Sequence, residues 1–349
     1  MKETQTRKSN IFVCGCRRRT TGVVLGVLLF LGAIAIGLYS PMAAMRASRD
    51  HLQSQALELT AQITQLRQEQ LMPALVLSRY RSSIGYVYGV YQIGFANQPP
   101  EIRARVSGTG FLVGDHLVAT NRHIAEPWYG DSEAAKLMRR GAIPSIETLV
   151  VFFPGSLTPV RLSHPSVSRT SDLAVLRAED SEVFRRLPIL PLAKSPASPG
   201  QFIDVIGYPM GIAGMIAKSP AALNEHLADR PSDIRVASEL AARSLIRPLS
   251  TCGHLGDVMG DMLVYDAATG HGGSGGPVFN SNAEVIGVNS AYIDGFSGGS
   301  IGVSVESLRP LLQEIQFSAA VSDLGSLESQ VVSAVPTLGA GRLRTNQEP

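Results

Sequence analysis

Residues Gly272-Gly273-Ser274-Gly275-Gly276-Pro277 set one serine among four glycines, just ahead of the apolar pair Val278-Phe279. Glycine lacks a Cβ, so the backbone there can turn sharply and bring its N–H groups close to another molecule. A hydroxyl beside unobstructed N–H donors suits nucleophilic attack on a carbonyl, with the donors receiving the negative charge that develops. The same stretch also fits a plain flexible turn. Partners elsewhere in the chain must decide between the two.

A serine nucleophile needs a base to take its proton and an acid to orient that base. The chain has 7 histidines, His51, His116, His123, His164, His226, His254 and His271, and none follows Ser274. The pattern Gly272-x-Ser274-x-Gly276 also matches the nucleophile elbow of α/β-hydrolases, but that fold requires its histidine after the serine, so chain order excludes it. No lysine follows the glycines, which excludes a nucleotide-binding P-loop. The order histidine, aspartate, serine remains. His123 follows Leu117-Val118-Ala119-Thr120, where a strand gives way to the polar turn Asn121-Arg122. Asp172 opens the apolar run Leu173-Ala174-Val175-Leu176. A carboxylate beside such a strand is costly unless paired, and an imidazole N–H would satisfy it and fix the tautomer. Taken singly, a histidine at a turn is usually a surface or capping residue, and an aspartate before a strand is often a turn former. In this order, with the glycine-framed serine, the three point to a nucleophilic triad.

Strands must hold these residues. A hydrophobic content of 44%, a charged content of 17%, 34 glycines and 21 prolines in 349 residues describe a turn-rich β protein rather than a helical bundle. From Arg79 the pattern has period two: Ile84, Tyr86, Tyr88 and Val90 alternate with Gly85, Val87 and Gly89. Short apolar runs follow at 110–113, 117–120, 149–153, 160–162, 173–176, 202–206, 262–265, 277–279, 285–288 and 301–305, separated by glycine, proline and serine. Many short strands with turn signals predict sandwiches or barrels. Residues 126–144 read as a loop with a helix around 132–140, and 211–243 as a partly helical surface insertion. Residues 187–200, rich in proline and serine, suit a linker between two halves.

The N-terminal part differs. The run from Thr21 to Tyr39 has no charged residue, and at about 1.5 Å per residue it nearly matches a hydrocarbon core of roughly 30 Å. Lys2, Arg7, Lys8, Arg17, Arg18 and Arg19 precede it against the single acid Glu3, whereas residues 40–59 hold only Arg46 and Arg49 as basic residues. The positive-inside rule puts the segment 1–20 in the cytoplasm and the bulk of the chain outside, as a single-pass protein of the cytoplasmic (inner) membrane with its outer part periplasmic or otherwise extracytoplasmic. A cleaved signal peptide is the rival reading, with Met42-Ala43-Ala44 as a loose cleavage site. The apolar run exceeds the usual length for that and favours a retained anchor. Residues 42–72 read as one polar helix ended by Pro73. Leu52, Ala56, Leu59, Ile63 and Leu66 form a heptad seam on it. The seam fits either a stalk that self-associates into a homo-oligomer or a helix packed on the globular part. Cys252 is the only cysteine beyond the span, so no intrachain disulfide is expected there. Cys14 and Cys16 have no second Cys/His pair nearby to complete a zinc site. Neither metal nor cofactor is expected. The net charge of +2, with no basic run interleaved with aromatics, argues against a nucleic-acid partner. Residues 318–349 have little periodicity and read as a disordered tail.

Several segments together carry a family resemblance. They are Ser107-Gly108-Thr109-Gly110-Phe111-Leu112-Val113, Ala119-Thr120-Asn121-Arg122-His123, Asp172-Leu173-Ala174-Val175-Leu176, Ile206-Gly207-Tyr208-Pro209-Met210-Gly211, the serine turn itself, Val285-Ile286-Gly287-Val288-Asn289-Ser290 and Ile301-Gly302-Val303-Ser304-Val305. In that order they resemble the motifs of trypsin-like serine proteases, and within those the HtrA (Deg) group of the bacterial envelope. The resemblance covers about 79–316.

The resemblance implies an all-β protease of two six-stranded antiparallel β-barrels, about 79–188 and about 191–316, preceded by the transmembrane helix and the helical stalk. His123 and Asp172 would come from the first barrel and Ser274 from the second. The N–H groups of Gly272 and Ser274 would form the oxyanion hole, and flipping of the Gly273 peptide would switch it. Proteins or peptides would be the substrates. Gly273 stands where secreted digestive members carry an aspartate, so activation by N-terminal cleavage is not expected. Ala268 stands where trypsin has its acid, which implies a small or apolar P1 residue, with Ser290, Ala291 and Tyr292 as candidate pocket wall. The chain ends too soon after residue 316 for the C-terminal PDZ domain common in that group, so none is expected. The same fold without activity, used as a binding or scaffold module, is the alternative reading.

Overall fold

Apolar side chains that recur every second residue bury one face of a strand, and closing such strands into a barrel leaves no sheet edge unpaired. In the computed structural model of the chain, this happens twice. Residues 16–179, 182–293, 295 and 299–318 are described. The sequence-based expectations for Cys14 and the rest of the basic segment before residue 16, and for the tail from 319 onward, lie outside them. The chain divides into two compact units, Met1–Arg67 and Gln68–Pro349.

In the first barrel β1 (Ile84–Gly94), β2 (Ile102–Gly114), β3 (Leu117–Thr120), β4 (Ile143–Phe152), β5 (Val160–Val167) and β6 (Ala174–Ala178) close in the order β1-β2-β3-β6-β5-β4. Val87, Leu112, Val118, Val151 and Leu176 are among the residues of its core. In the second, β7 (Phe202–Gly207), β8 (Leu249–Met259), β9 (Met262–Tyr265), β10 (Pro277–Asn280), β11 (Val285–Tyr292) and β12 (Ser300–Ser304) close as β10-β11-β12-β9-β8-β7. Ile203, Val205, Leu263, Val278 and Ile286 belong to its core. All pairings between the strands of the two barrels are antiparallel, as expected for this fold class. β8 is the strand that the sequence pattern missed: most of it is exposed or half-exposed, and Ser250, Thr251, Gly253 and His254 break any apolar alternation.

Two short helices flank the first barrel. α2 (Arg122–Ala125) follows β3, and α3 (Ser132–Arg139) matches the helix expected there. Asp131 caps α3 by accepting from the N–H groups of Glu133 and Ala134. Residues 211–243, expected as a surface insertion, instead complete a core. Within them α4 (Gly211–Ala217), α5 (Ala221–Leu227) and α6 (Ile234–Ala242) bury Ile212, Met215, Leu227, Val236 and Leu240. These pack in one cluster with Tyr86 and Tyr88 of β1 and with Ile206 and Phe279 from the second barrel. Their apolar spacing was visible in the sequence. Which surface they cover is decided by the second faces of β1, β7 and β10.

The long helix α1 (Cys16–Tyr80) contains the expected span, a run long and apolar enough to cross a membrane. Its apolar side chains there, such as Leu29 and Ile36, are exposed. Pro73 was expected to end the helix, yet α1 continues to Tyr80. Met72, Val76 and Tyr80 are buried, and Tyr80 stacks on Phe279 with ring centroids 6.0 Å apart. Proline within a helix costs about 3 kcal/mol; burying three large side chains at roughly 1.5–3 kcal/mol each outweighs it.

Candidate active site

His123 stands in the single turn α2, where β3 delivers the chain into a polar bend. Asn121 anchors that bend by donating from Nδ2 to the Asp172 carbonyl at 2.8 Å. Arg122 braces it from the other side: its guanidinium lies 4.3 Å from the Tyr129 ring centroid, bonds Glu126 at 2.7 Å and donates to the Ser168 carbonyl at 3.0 Å. Asp172 lies two residues before β6 and accepts twice from His123, from the backbone N–H at 3.0 Å and from Nδ1 at 2.7 Å. The Ser290 hydroxyl donates to the same carboxylate at 2.6 Å. Burial by itself would raise the Asp172 pKa, but the hydrogen bonds and charge of His123, with the Ser290 hydrogen bond, hold it below the ordinary carboxylate value. The His–Asp pair expected from the sequence is therefore formed.

The serine turn is built from the second barrel and held by the first. Gly272 and Gly275 have φ of +88° and +87°. A Cβ on Gly275 would come within 2.0 Å of the Thr109 carbonyl oxygen, so only glycine fits. Thr109, on β2, holds the turn at two points: its hydroxyl donates to the Gly272 carbonyl and its N–H to the Ser274 carbonyl, each at 2.8 Å. The N–H groups of Gly273, Gly275 and Gly276 bond Gly270, Asn289 and Gly273 carbonyls at 2.8, 2.7 and 3.1 Å. Among the described residues, the N–H groups of Gly272 and Ser274 have no acceptor. Ser274 Oγ donates to the Ser290 carbonyl at 2.8 Å, and no hydrogen bond joins it to His123.

Of the four residues expected to form a pocket wall, Ser290 and Ala291 line one cleft. Ser290 turns its hydroxyl to Asp172, and the Ala268 carbonyl accepts from Thr251 at 2.7 Å. The Tyr292 hydroxyl bonds His271 Nε2 at 2.8 Å, across the start of the serine turn. Ala291 lines a cleft of about 560 Å³ together with His123, Asp172, Tyr129, Tyr91 and Arg105. Two residues beside the turn had escaped notice. Asn289 is buried, accepts from the Tyr265 hydroxyl at 2.7 Å and donates to Thr269 at 3.0 Å. An asparagine inside the apolar run of β11 was the available signal. Thr109 carried none, because its partner lies 163 positions away.

Two closed six-stranded barrels, with a His–Asp pair from one and a glycine-framed serine from the other, define a chymotrypsin-like fold. The trypsin-like peptidase domain family matches residues 108–288, just over half of the chain, and the chain belongs to that family. Within it the similarity is to the HtrA/Deg group. Serine protease PepD of Mycobacterium tuberculosis is 28% identical over 252 residues, covering 68% of this chain and 47% of PepD. A probable periplasmic serine endoprotease DegP-like of Chlamydia trachomatis is 29% identical over 208 residues, covering 59% of this chain and 32% of its own length. Mitochondrial serine protease HTRA2 of Bos taurus is 28% identical over 208 residues, with 59% and 35% covered. The chain thus spans about a third to a half of the length of these relatives.

Proposed function

We propose that the chain is a membrane-anchored serine endopeptidase that cleaves proteins or peptides outside the cytoplasmic membrane through an acyl-enzyme. Ser274 Oγ attacks the scissile carbonyl, and His123 takes its proton and returns it to the leaving amine. Asp172 holds the imidazole through Nδ1–H and stabilises the imidazolium that forms. The N–H groups of Gly272 and Ser274 receive the oxyanion. One observation carries this reading: the turn that bears the serine leaves those two N–H groups without acceptors while its other glycine N–H groups are bonded. Before attack the Ser274 hydroxyl rotates from the Ser290 carbonyl toward His123. The chemistry requires no cofactor. A small or apolar P1 residue fits, since neither Ala268 nor the Thr269–Asn289 pair offers a charge. Labelling of the full-length protein with a fluorophosphonate should give an adduct on Ser274, and Ser274→Ala should lose about 10⁴-fold or more in peptide cleavage. Cleavage retained by that variant overturns the triad assignment.

The Ser274–Ser290 hydrogen bond favours a second reading, the same fold as a binding module without activity. A folded wild-type protein that takes no fluorophosphonate under several conditions would select it.

The remaining organisation belongs to the same proposal. Segment 1–20 is cytoplasmic, 21–39 spans the membrane, 42–72 is a stalk and 79–316 carries the protease. Leu52, Leu59, Ile63 and Leu66 are exposed, which supports self-association of the stalk through this seam. Disulfide trapping of a Leu59→Cys variant should give a covalent dimer; a variant that stays monomeric removes the seam as an interface. The intact mass of the membrane-extracted protein should include the span, and a mature chain starting near Met45 would mean a cleaved signal.

A further inference from the structure

Ser171 precedes Asp172 in the turn between β5 and β6, and only 5% of it is exposed. A hydroxyl in such a place needs a partner. The turn's own backbone is already closed. The Ser171 N–H donates to Ser168 Oγ at 3.1 Å, the Leu173 N–H to the Ser171 carbonyl at 2.9 Å, and the Ser168 N–H to the Leu173 carbonyl at 2.9 Å. The Ser171 hydroxyl leaves the first barrel and donates to Asp261 Oδ2 at 2.5 Å. Asp261 stands at the tip of the β8–β9 hairpin of the second barrel, between the paired residues Met259 and Met262.

Asp261 is itself held in place. Its carbonyl accepts from the Ser304 N–H at 2.6 Å, and Oδ2 also accepts from the Ser307 hydroxyl at 3.2 Å. These donors come from the end of β12 and from the 3-10 turn Val305–Ser307, where Val305 and the following Leu308 are buried. Among the described residues Asp261 forms no ion pair. Its carboxylate serves as an acceptor shared by two serines, one from each barrel.

We infer that Asp261 is a positioning residue for the reaction: through Ser171 it fixes the main chain at Asp172, and so the carboxylate that orients His123. This rests on Asp172 being the acid of the triad. The second barrel then holds Asp172 at two points. Ser290 donates to the carboxylate at 2.6 Å, and the Asp261–Ser171 bond fixes the backbone one residue earlier. With only the first of these, the carboxylate can pivot about Ser290. A pivot disturbs the two bonds from His123, from its N–H at 3.0 Å and from Nδ1 at 2.7 Å. Neither Ser171 nor Asp261 lines the cleft beside His123, so the loss falls on the chemical step rather than on substrate binding. A misplacement of about 1 Å can cost roughly 10²-fold in rate, and loss of one bond among several should cost about 5-fold.

Peptide cleavage by the full-length protein in detergent micelles tests the bridge. The rate is referred to Ser274 sites titrated with a fluorophosphonate, so unfolded molecules do not count. Asp261→Ala and Ser171→Ala should each lower kcat about 5-fold with KM unchanged. The double variant should lose no more than either single one, because both remove the same bond. Asp261→Asn keeps an acceptor oxygen and Ser171→Thr keeps a hydroxyl, so each should retain about half of the wild-type kcat or more. The His123 Nδ1 proton resonance, read by NMR in the Ser274→Ala background, should move upfield in the two alanine variants and stay in place in the conservative ones. Losses that multiply in the double variant, an Asp261→Asn protein as slow as Asp261→Ala, a raised KM at constant kcat, or an unmoved His123 resonance would each overturn the assignment. Absence of fluorophosphonate labelling in the wild type would instead overturn the reading of Ser274, and the resonance, which needs no turnover, would still decide the bridge.

Discussion

Ser290 serves two partners at once: its hydroxyl donates to Asp172 and its carbonyl accepts from Ser274. It therefore ties Asp172 of the first barrel to Ser274 of the second. Burial pushes the Asp172 pKa up, and the donors from His123 and Ser290 pull it down past its ordinary value. Removing one donor to a carboxylate raises its pKa, because the charged form loses a partner that the neutral form never used fully. Ser290→Ala should lower kcat by about 10-fold, of the order expected when a charge-assisted hydrogen bond of roughly 1.5 kcal/mol is lost. It should also raise the pH at which the Asp172 carboxyl titrates, read by NMR of the carboxyl carbon. A titration that does not move would remove Ser290 from the support of Asp172.

At the scale of the element, β7 carries a charge that its surroundings do not welcome. Asp204 is fully buried between Phe279 on β10 and Cys252 on β8. One carboxylate oxygen accepts from Ser250 at 2.6 Å and from Cys252 at 3.8 Å, while the other has no partner. Burial raises its pKa from 3.8 to about 6, and burial together with the nearby carboxylate raises that of Cys252 to about 11. The folded chain thus prefers Asp204 protonated. Its contribution to stability is complete below pH 3.8 and is lost as pH rises to about 6. The loss is about 3 kcal/mol at most, at 1.36 kcal/mol per pH unit. Asp204→Asn, which keeps an acceptor for Ser250, should unfold at a similar urea concentration to the wild type at pH 4 and at a higher one at pH 8. A constant difference between the two proteins across this range would show that Asp204 does not titrate in the fold.

At the scale of the whole molecule, the end of α1 belongs to the protease unit. Gln68 donates to the Ser281 carbonyl at 2.9 Å, and Met72, Val76 and Tyr80 complete the cluster shared by both barrels and by α4–α6. A soluble fragment is therefore better begun at Gln68 than at the residue where the strands start. Removing residues 68–83 takes three buried side chains from that cluster. The expected loss is about 5 kcal/mol or more at roughly 1.5–3 kcal/mol each, comparable with the whole stability of many domains. Urea unfolding of fragments 68–318 and 84–318 measures it, and equal midpoints would mean that the helix end only decorates the barrels.

The amino-acid order by itself determined which chemistry was open to the chain. The order His123, Asp172, Ser274 departs from that of α/β-hydrolases and matches that of chymotrypsin-like enzymes. Short apolar runs located most of the strands, and the uncharged run from Thr21 to Tyr39 located the expected span, because both signals lie within adjacent residues. Tertiary structure decided what depends on residues far apart in sequence. The polar strand β8 exists because β7 and β9 pair with it on either side. α1 passes Pro73 because a core waits on its last turn. Thr109 holds the backbone of the serine turn, and Ser290, which lines the cleft, also donates to Asp172. Those contacts form only once two closed barrels stand side by side, and periodicity within a single strand carries no record of them.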